Sequence, residues 1–307
     1  VVGIRRETAR ATTVTIRPGR AWTGHRAGQY VRIGVDIDGV RHWRTYSLSG
    51  PEGDPNITIT VQALPDGRVS RHLVDATPVG SIVRLEPATG DFVLASPPPR
   101  KLLMITAGSG ITPVMAMLRT LGPHPDAVLL HSAPTAADVI FDDELRRVPG
   151  LRLTIRHTRD QGRLDLASLD GICPDWRERE AYVCGPAALL DAATEHWSAG
   201  DGCGGLDRLH LERFAPPARS TGGEGGTVTF GDTTVDVDGG ASLLEAGEDA
   251  GVLLPSGCRM GICFSCVLPL RDGQVRDLRT GEIHGGPFVQ TCVSGATGTA
   301  RLDLTTS

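Results

Sequence analysis

The chain lacks the features that mark membrane-spanning, secreted and nucleic-acid-binding proteins. None of its apolar runs approaches 18 residues, so we expect no integral membrane segment. The N-terminus, Val-Val-Gly-Ile-Arg-Arg, has neither an apolar core of signal-peptide length nor an initiator methionine, which suggests a trimmed start. No basic stripe runs along the chain, so nucleic acid is not an expected partner.

Cysteine occurs in an odd number that does not suggest a disulfide framework. Four of the seven cysteines fall in one motif near the C-terminus, and Cys173, Cys184 and Cys203 remain. A reducing cytoplasm is therefore the simplest compartment.

Net charge is nearly absent from the first three-quarters of the chain. The whole sequence carries 31 Lys and Arg against 36 Asp and Glu, a formal net charge of −5. Residues 226–307 contain ten acids and five arginines, so this segment accounts for the whole excess. An acidic segment of this kind would steer a basic partner surface towards itself.

Three patterns follow one another along the sequence and predict a multidomain protein. The 307 residues, 40% hydrophobic and 22% charged, suffice for two or three ordinary globular domains. Residues 1–99 consist of short strand patterns separated by Gly and Pro turns, which predicts an antiparallel β-barrel. The clearest predicted strands here are Thr12 to Ile16, Gln29 to Val35, Arg44 to Leu48 and Ile57 to Gln62.

Residues 100–214 alternate between apolar runs and helical segments, which predicts an α/β domain with a parallel sheet. Its predicted strands are Leu102 to Thr106, Ala127 to Leu130, Leu151 to Ile155, Ala181 to Cys184 and Leu209 to Phe214. Residues 215–225 are rich in Gly and Pro and predict a flexible linker. Residues 226–307 begin with a hairpin around Gly231-Asp232 and a capping box, Ser242 to Glu245, and suit a β-grasp fold.

The four clustered cysteines have the spacing of a plant-type [2Fe–2S] centre. Cys258, Cys263 and Cys266 form a C-x4-C-x2-C run, and Cys292 follows after a gap. Two bridged irons need four convergent thiolates, and the glycines of this loop would let backbone N–H groups face the cluster. A structural zinc site is the alternative, although such sites favour paired C-x2-C knuckles and this run has only one short pair.

A Gly-rich turn after the strand Leu102 to Thr106 is typical of a nucleotide site. The turn contains Gly108 and Gly110, and a helix is expected to follow with Thr112 as N-cap and Pro113 as its first residue. Unpaired N–H groups at such a helix start favour a pyrophosphate. The third Gly of the dinucleotide fingerprint is replaced by Pro113, which disfavours an ordinary Rossmann dehydrogenase, and a bare tight turn is the alternative.

A later strand end in the same region carries Cys184, Gly185 and Pro186. The strand is expected to end at Cys184, with Gly185 and Pro186 starting a helix. A side chain at the carboxyl end of such a strand points into the ligand crevice of a parallel sheet. A buried structural thiol is the alternative interpretation of Cys184.

The segment Arg44-Thr45-Tyr46-Ser47 combines a cation, hydroxyl groups and an aromatic ring. Alternation predicts Arg44 and Tyr46 on one face of a strand and Thr45 and Ser47 on the other. Arg can bind a phosphate bidentately and Tyr can lie on a flat aromatic ring, although an amphipathic strand with a chance ion pair would look the same. A second candidate phosphate seat consists of Gly67, Arg68, Val69 and Ser70.

Taken in order, the motifs R-x-Y-S, G-x-x-S, G-x-G-x-x-P and C-G-P resemble those of the ferredoxin–NADP reductase superfamily. With the cysteine run at the end, residues 10 to 305 resemble the phthalate dioxygenase reductase arrangement. A narrower likeness is to actinobacterial reductases that serve acyl-CoA desaturases. The segments that carry it are His42 to Ser47, Cys173 to Glu180 and Leu209 to Phe214.

The resemblance implies a flavin site in the first domain. It implies that Arg44 binds the flavin phosphate, that Tyr46 packs on the flavin ring and that Ser47 hydrogen-bonds near its reactive nitrogen. FAD is favoured because it is commoner with these two motifs together, although the family also has FMN members. The other implied flavin contacts are Thr45, Gly67, Arg68, Val69 and Ser70.

The resemblance also implies a nicotinamide site at the ends of the parallel strands. Thr112 and Cys184 would flank the nicotinamide, and Phe214 would lie near the flavin ring. Together with Ser47, these are the candidate catalytic residues. The other implied nucleotide contacts are Gly108, Gly110, Pro113, Gly185 and Pro186.

The choice between NADPH and NADH is expected to depend on three residues near the adenosine ribose. Ser132 follows the second strand of the parallel sheet, and Arg156 and Arg159 follow the third. These groups suit a 2′-phosphate, so NADPH is favoured. The alternative is that both arginines are solvated surface residues.

Together these motifs predict an NAD(P)H-dependent oxidoreductase that contains a chain of electron carriers. Flavin accepts the two electrons of a hydride, and a [2Fe–2S] cluster passes electrons on singly. The predicted partner is a terminal oxygenase, a desaturase or a haem-thiolate monooxygenase, and we expect a monomer. The alternatives are a terminal reductase of a ferric chelate or quinone, which would not need a ferredoxin module, and a redox-sensing module, which would not need intact cofactor motifs.

Overall fold

The structure, a computed structural model, describes residues 1–65, 67–123, 126–199, 205–214, 223–256, 261, 264 and 266–304. The chain divides into two units, Val1–Arg213 and Phe214–Ser307. In the first unit, residues 1–99 are called the β region here and residues 100–213 the α/β region; the second is the C-terminal unit. Among all the described residues, no helix has both the length and the apolar character needed to cross a membrane.

Alternating apolar side chains build the β region. Its strands are β1 (Gly3–Thr8), β2 (Ala11–Ile16), β3 (Tyr30–Ile37), β4 (Val40–Ser47), β5 (Ile57–Gln62) and β6 (Arg84–Leu85), and the helix α1 (Arg68–Arg71) continues into a π-helical turn (His72–Ala76). The strands form two antiparallel sheets in the orders β1-β2-β5 and β4-β3-β6, and a bridge joins Leu48 to Ile59. Val14, Ile33 and Ile57 turn inward onto one shared core. This is the antiparallel β fold that the strand pattern predicts.

A five-stranded parallel sheet forms the α/β region. Its strands are β7 (Leu102–Ala107), β8 (Ala127–Ala133), β9 (Leu151–His157), β10 (Glu180–Gly185) and β11 (Leu209–Arg213), and its helices are α2 (Ile111–Leu121), α3 (Asp142–Leu145), α4 (Thr158–Gln161), α5 (Leu169–Ile172) and α6 (Ala187–Ser198). The strand order is β11-β10-β7-β8-β9. Leu102 and Met104 face one core while Leu103 and Ile105 face another, so both faces of the sheet are covered.

The β region and the α/β region share one of these cores. Phe92 of the β region lies against Tyr182 of β10, with ring centres 5.6 Å apart. The Tyr182 hydroxyl also accepts a hydrogen bond from the Ala95 amide at 3.3 Å. Because apolar and polar contacts cross this boundary together, the two regions form one unit.

The C-terminal unit is a mixed sheet with one short helix. Its elements are β12 (Gly225–Phe230), β13 (Thr233–Val237), α7 (Leu243–Asp249), β14 (Val267–Asp277), β15 (Ile283–His284), β16 (Phe288–Gln290) and β17 (Ser294–Leu302). The order is β13-β12-β17-β14-β15, with β16 beside β14 and β12 parallel to β17. The hairpin of β12 and β13 is confirmed, and Ser242 and Glu245 form the predicted capping box. Most of the predicted linker lies outside the described residues.

Candidate functional site

Four side chains form a row across the carboxyl edge of the parallel sheet. Cys184 of β10 is paired with Thr106 of β7 on one side and with Glu212 of β11 on the other. Thr106 is paired in turn with His131 of β8, and its hydroxyl lies 2.8 Å from His131 Nδ1. Parallel sheets bind ligands at this edge, so the row forms the floor of a candidate site.

Burial gives this row little charge near neutral pH. The Cys184 side chain is fully buried, which raises the pKa of its thiol well above the usual value. Burial also lowers the pKa of His131 to about 4. Burial and the nearby Asp91 carboxylate raise the pKa of Glu212 to about 7. Cys184 is therefore a neutral thiol, unsuited to nucleophilic attack, and Glu212 is the one member that can exchange a proton near pH 7.

Sequence reasoning missed three members of this row, namely Glu212, Thr106 and His131. Glu212 lies within the segment Leu209 to Phe214 that carries the narrower family likeness. The signal that could have identified it is an acidic residue in a strand predicted to end at the same sheet edge as Cys184. Thr106 and His131 give no such signal, because their adjacency depends on the strand order.

Two glycines let the ends of β7 and β10 approach closely. A Cβ atom on Gly110 would lie 2.2 Å from the Cys184 carbonyl oxygen. A Cβ atom on Gly185 would lie 3.2 Å from Ala107 Cβ. Gly108 has a φ of +54°, which favours glycine. The G-x-G and C-G-P motifs are therefore two sides of one contact.

The predicted start of α2 at Pro113 is wrong, because the helix begins two residues earlier. Gly108–Gly110 forms a 3₁₀ turn that continues directly into the helix, so α2 begins at Ile111 with Gly110 as N-cap. Thr112 is not a cap, because its hydroxyl donates a hydrogen bond to the Ser109 carbonyl at 2.9 Å. Pro113 is the third helical residue rather than the first.

The predicted end of β10 is also early. The strand extends through Gly185, and Pro186 is the N-cap of α6 rather than a helical residue. Pairing of Gly185 with Arg213 of β11 extends the strand one residue beyond the apolar run from which its end was predicted.

The R-x-Y-S motif occupies the second half of β4. The Arg44 guanidinium donates to the Trp43 carbonyl at 2.8 Å. Tyr46 packs against the core of the β region, and burial raises the pKa of its phenol. Ser47 is buried, and Thr45 pairs with Arg32 of β3. The motif therefore presents a phenol and an arginine from one rigid strand.

The G-x-x-S motif forms the start of α1. Val69 is buried in the core, and the Ser70 hydroxyl donates to the Gly67 carbonyl at 3.1 Å and accepts from the Leu64 amide at 3.1 Å. Arg68 forms an exposed ion pair with Asp38 at 2.9 Å. Because the Val69 and Ser70 side chains are engaged within the protein, a phosphate contact here would use backbone N–H groups.

The residues predicted at the adenosine end lie on adjacent strands. Ser132 at the end of β8 is buried and is the register partner of Arg156 in β9. Arg156 donates to the Gly162 carbonyl at 2.9 Å and to the Gln161 carbonyl, so it holds the turn after α4. Arg159 is exposed on α4, and its amide donates to the Pro134 carbonyl at 3.1 Å. The structure thus brings Ser132 and Arg156 together beside the row.

In the C-terminal unit, two of the four motif cysteines lie side by side. Cys266 directly precedes β14 and Cys292 follows β16, and their Sγ atoms are 3.2 Å apart in a buried setting. The hydrogen bond with the Cys292 thiol lowers the pKa of Cys266, which favours its thiolate. Thiolates on one tetrahedral metal lie about 3.8 Å apart, so a small outward movement of these two side chains would let them bind one metal. Cys258 and Cys263 lie outside the described residues.

The surroundings of this pair hold its backbone in place. The Thr291 hydroxyl donates to the Cys266 carbonyl at 3.0 Å, and the Gln290 side-chain amide donates to the Gly261 carbonyl at 3.1 Å. Gly261 has a φ of +77°, a backbone conformation that favours glycine, as the loop pattern predicts.

Comparison with known families accounts for the chain in three segments. Residues 9–94 match an oxidoreductase FAD-binding domain, residues 104–195 an oxidoreductase NAD-binding domain and residues 228–297 a 2Fe-2S iron-sulfur cluster binding domain. The chain is 50% identical over 319 residues to an NADPH oxidoreductase of Mycobacterium tuberculosis, covering 99% of this chain and 83% of that protein. It is 31% identical over 300 residues to the glycine betaine monooxygenase reductase subunit of Chromohalobacter salexigens, covering 84% and 79%.

The same arrangement occurs in a solved structure. Phthalate dioxygenase reductase matches with a TM-score of 0.72 and 25% identity, covering 99% of this chain and 96% of that one. The chain belongs to the ferredoxin–NADP reductase superfamily. As a member with a C-terminal ferredoxin domain, it is an NAD(P)H-dependent oxidoreductase whose cofactors are FAD and a [2Fe–2S] cluster.

The described site residues fit the cofactors and the nucleotide of this superfamily. The paired, buried thiols of Cys266 and Cys292 suit an iron–sulfur cluster, and the family match removes the zinc alternative. The neutral Cys184 thiol, with the close turn at Gly110, suits a planar nicotinamide. Other relatives are named as reductase components of oxygenase systems, among them a glycine betaine monooxygenase reductase subunit and a 3-ketosteroid-9-alpha-monooxygenase ferredoxin reductase component.

Proposed function

We propose that this reductase transfers electrons from NADPH through FAD and the [2Fe–2S] cluster to a partner oxygenase, desaturase or haem-thiolate monooxygenase. The observation that carries the proposal is the buried thiol pair of Cys266 and Cys292 in a unit separate from the FAD and nucleotide domains. A cluster carried on its own unit suits delivery of single electrons to another protein. We expect the reductase to be a monomer.

The side chains of the first unit bind and orient the reactants in this proposal. Bound FAD supplies hydride acceptance and release of single electrons. Arg44 binds the flavin phosphate, Tyr46 supports the flavin ring and Ser47 donates a hydrogen bond near its reactive nitrogen. The backbone at Gly67 to Ser70, with Arg68, completes the phosphate seat.

At the sheet edge, the neutral Cys184 thiol and Thr112 flank the nicotinamide without adding charge. The turn at Gly108, Gly110 and Pro113 and the turn at Gly185 and Pro186 support the rest of the nucleotide. Glu212 holds or releases a proton near neutral pH.

NADPH is the preferred donor in this proposal. The similar protein of Mycobacterium tuberculosis is named an NADPH oxidoreductase. Ser132 and Arg156 are register partners at the adenosine end, and Arg159 is exposed beside them. We infer that these three residues contact the 2′-phosphate, because an arginine and a hydroxyl on adjacent strands suit a phosphate.

The variant Cys292→Ser tests whether electrons leave through the cluster. It should lose iron and acid-labile sulfide while it keeps FAD, because only one unit is affected. Reduction of ferricyanide by NADPH should continue, since this small oxidant can reach flavin directly. Cytochrome c reduction should fall by an order of magnitude or more and support of a reconstituted oxygenase should be lost. Absorbance spectra, metal analysis and steady-state rates provide the measurements.

Cys173→Ser is the matched control, because Cys173 is an equally buried thiol in the other unit. It should keep the cluster and both activities. If Cys292→Ser loses the cluster but reduces cytochrome c as fast as the parent protein, the cluster is not the exit. A terminal reductase of a small acceptor, such as a ferric chelate or quinone, would then be the better assignment.

A further inference from the structure

The helix α2 connects the nucleotide turn to the β region through its last turn. It begins directly after Gly108–Gly110 and is about 16 Å long. Near its end, Arg119 Nη1 donates to the Ser49 carbonyl, and Thr120 Oγ1 accepts from the Glu52 amide at 3.0 Å. Ser49 and Glu52 lie in the loop after β4, the strand that carries the R-x-Y-S motif. One helix thus has the nucleotide turn at one end and the flavin-strand loop at the other.

Arg119 is held on several sides of its guanidinium group. Its Nε and Nη2 atoms donate to the two carboxylate oxygens of Glu144, each at 2.7 Å. Its Cζ atom lies 4.9 Å from the centre of the Phe141 ring, and the side chain is only 17% exposed. Arg5 of β1 approaches the same carboxylate at 3.5 Å. A bidentate ion pair together with a stacked ring fixes the orientation of a guanidinium group.

Around Arg119, the contacts between the β region and the α/β region are mainly polar. A cleft of about 470 Å³ is lined by Arg5 and Glu7 from the β region and by Arg119, Glu144 and Arg147 from the α/β region. Burial tends to raise the pKa of Glu144, but the hydrogen bonds from Arg119 hold it below its usual value. Removing Arg119 would therefore loosen the polar bridge across this cleft.

We propose that Arg119 is a positioning residue that sets the distance between the nicotinamide and the flavin ring. The loop that Arg119 contacts follows directly on β4, and Gly110 at the other end of α2 abuts Cys184. A small rotation of α2 about its docked end would displace the nucleotide turn. A displacement of about 1 Å at the reacting atoms can slow a transfer about 100-fold. The inference rests on the proposed function, in its step from NAD(P)H to flavin, and does not depend on the identity of the acceptor.

Arg119→Met in the full-length holoprotein tests this role. Anaerobic stopped-flow should show the limiting rate of flavin reduction falling at least about tenfold, while the NADPH dissociation constant stays within about twofold. FAD and iron content should not change. Hydrogen exchange of residues 48–53 should be faster, which reports the lost contact independently of activity. Arg119→Lys should reduce flavin faster than Arg119→Met but more slowly than the parent protein. One ammonium group cannot bind Glu144 bidentately and also reach Ser49.

Arg147→Met is the matched control. Arg147 lines the same cleft, but its side chain is 76% exposed and its ion pair with Asp143 is long, at 3.8 Å. Arg147→Met should leave the limiting rate of flavin reduction and the hydrogen exchange of residues 48–53 unchanged. A parental reduction rate in Arg119→Met, or a slower rate without altered exchange at 48–53, would overturn the proposal. If Arg119→Met does not fold, Glu144→Gln decides: a reduced limiting rate supports the role, and a parental rate overturns it.

Discussion

At the scale of single residues, the environment of Glu212 explains how a carboxyl group can be part protonated at neutral pH. It lies beside the buried Cys184 thiol in the row, and burial together with Asp91 raises its pKa to about 7. Ionising it in the folded protein is unfavourable because neither the thiol nor Asp91 stabilises a negative charge. The same environment that suits a proton donor therefore has a stability cost.

Glu212→Gln should show this cost as a pH dependence of stability. The unfolded chain ionises this group near pH 4.3, whereas the folded protein does so near 7, so folding stability falls as pH rises across that window. We expect the glutamine variant to melt a few degrees above the parent protein at pH 8 and at nearly the same temperature at pH 4.5. Thermal unfolding at both pH values measures the difference.

Glu195→Gln is the control, because Glu195 is exposed on α6. Its effect on melting should be similar at both pH values. A Glu212→Gln variant that changes stability equally at pH 4.5 and pH 8 would show that the carboxyl group is not strained in the folded protein.

At the scale of secondary-structure elements, the site depends on the meeting of two strand ends. The turn after β7 can touch the end of β10 only because Gly110 has no side chain. Cys184 lies directly at this contact, between β7 and β11. The position of the nucleotide turn and that of the Cys184 thiol are therefore set together.

Gly110→Ala should separate these strand ends. The new Cβ would lie 2.2 Å from a backbone oxygen, which cannot move away as a flexible side chain could. We expect a loss of about 1–3 kcal/mol in stability and a markedly slower flavin reduction by NADPH, with FAD content unchanged. Gly171→Ala is the matched control, because nothing lies within 4 Å of a Cβ there. Equal behaviour of the two variants would contradict this account of the turn.

At the scale of the whole molecule, the charge is divided unevenly along the chain. Residues 226–307 hold ten acids and five arginines, while the remainder is neutral. Several of these acids, including Asp232 and Asp272, are exposed. Exposed charges act over about 10 Å at 0.1 M salt, so the C-terminal unit should attract basic proteins mainly at low ionic strength.

Cytochrome c reduction should therefore slow with added salt. Between about 0.05 and 0.5 M NaCl we expect a decrease of about tenfold, because screening weakens the steering of a basic acceptor. Steady-state rates at several salt concentrations provide the measurement. Reduction of an uncharged quinone should change little over the same range. A cytochrome c rate that does not respond to salt would show that the acidic residues play no part in docking.

Much of the fold and of the cofactor chemistry was predictable from local sequence. The spacing of Cys258, Cys263, Cys266 and Cys292 indicates a cluster because ligand number and geometry restrict where thiolates can be. Apolar runs predicted all five strands of the α/β region, and the Ser242 capping box was confirmed. The strands and the capping box depend on residues a few positions apart, and the cysteine spacing depends on ligand chemistry, so periodicity and side-chain chemistry determine these features.

Only the tertiary structure decided which distant residues meet. The row of Glu212, Cys184, Thr106 and His131 exists because the strand order places β11, β10, β7 and β8 side by side. The same packing buries Cys184 and shifts the pKa of Glu212, and it brings Arg119 to Ser49 across 70 positions of sequence. Such contacts depend on topology and desolvation, which no local pattern of residues encodes.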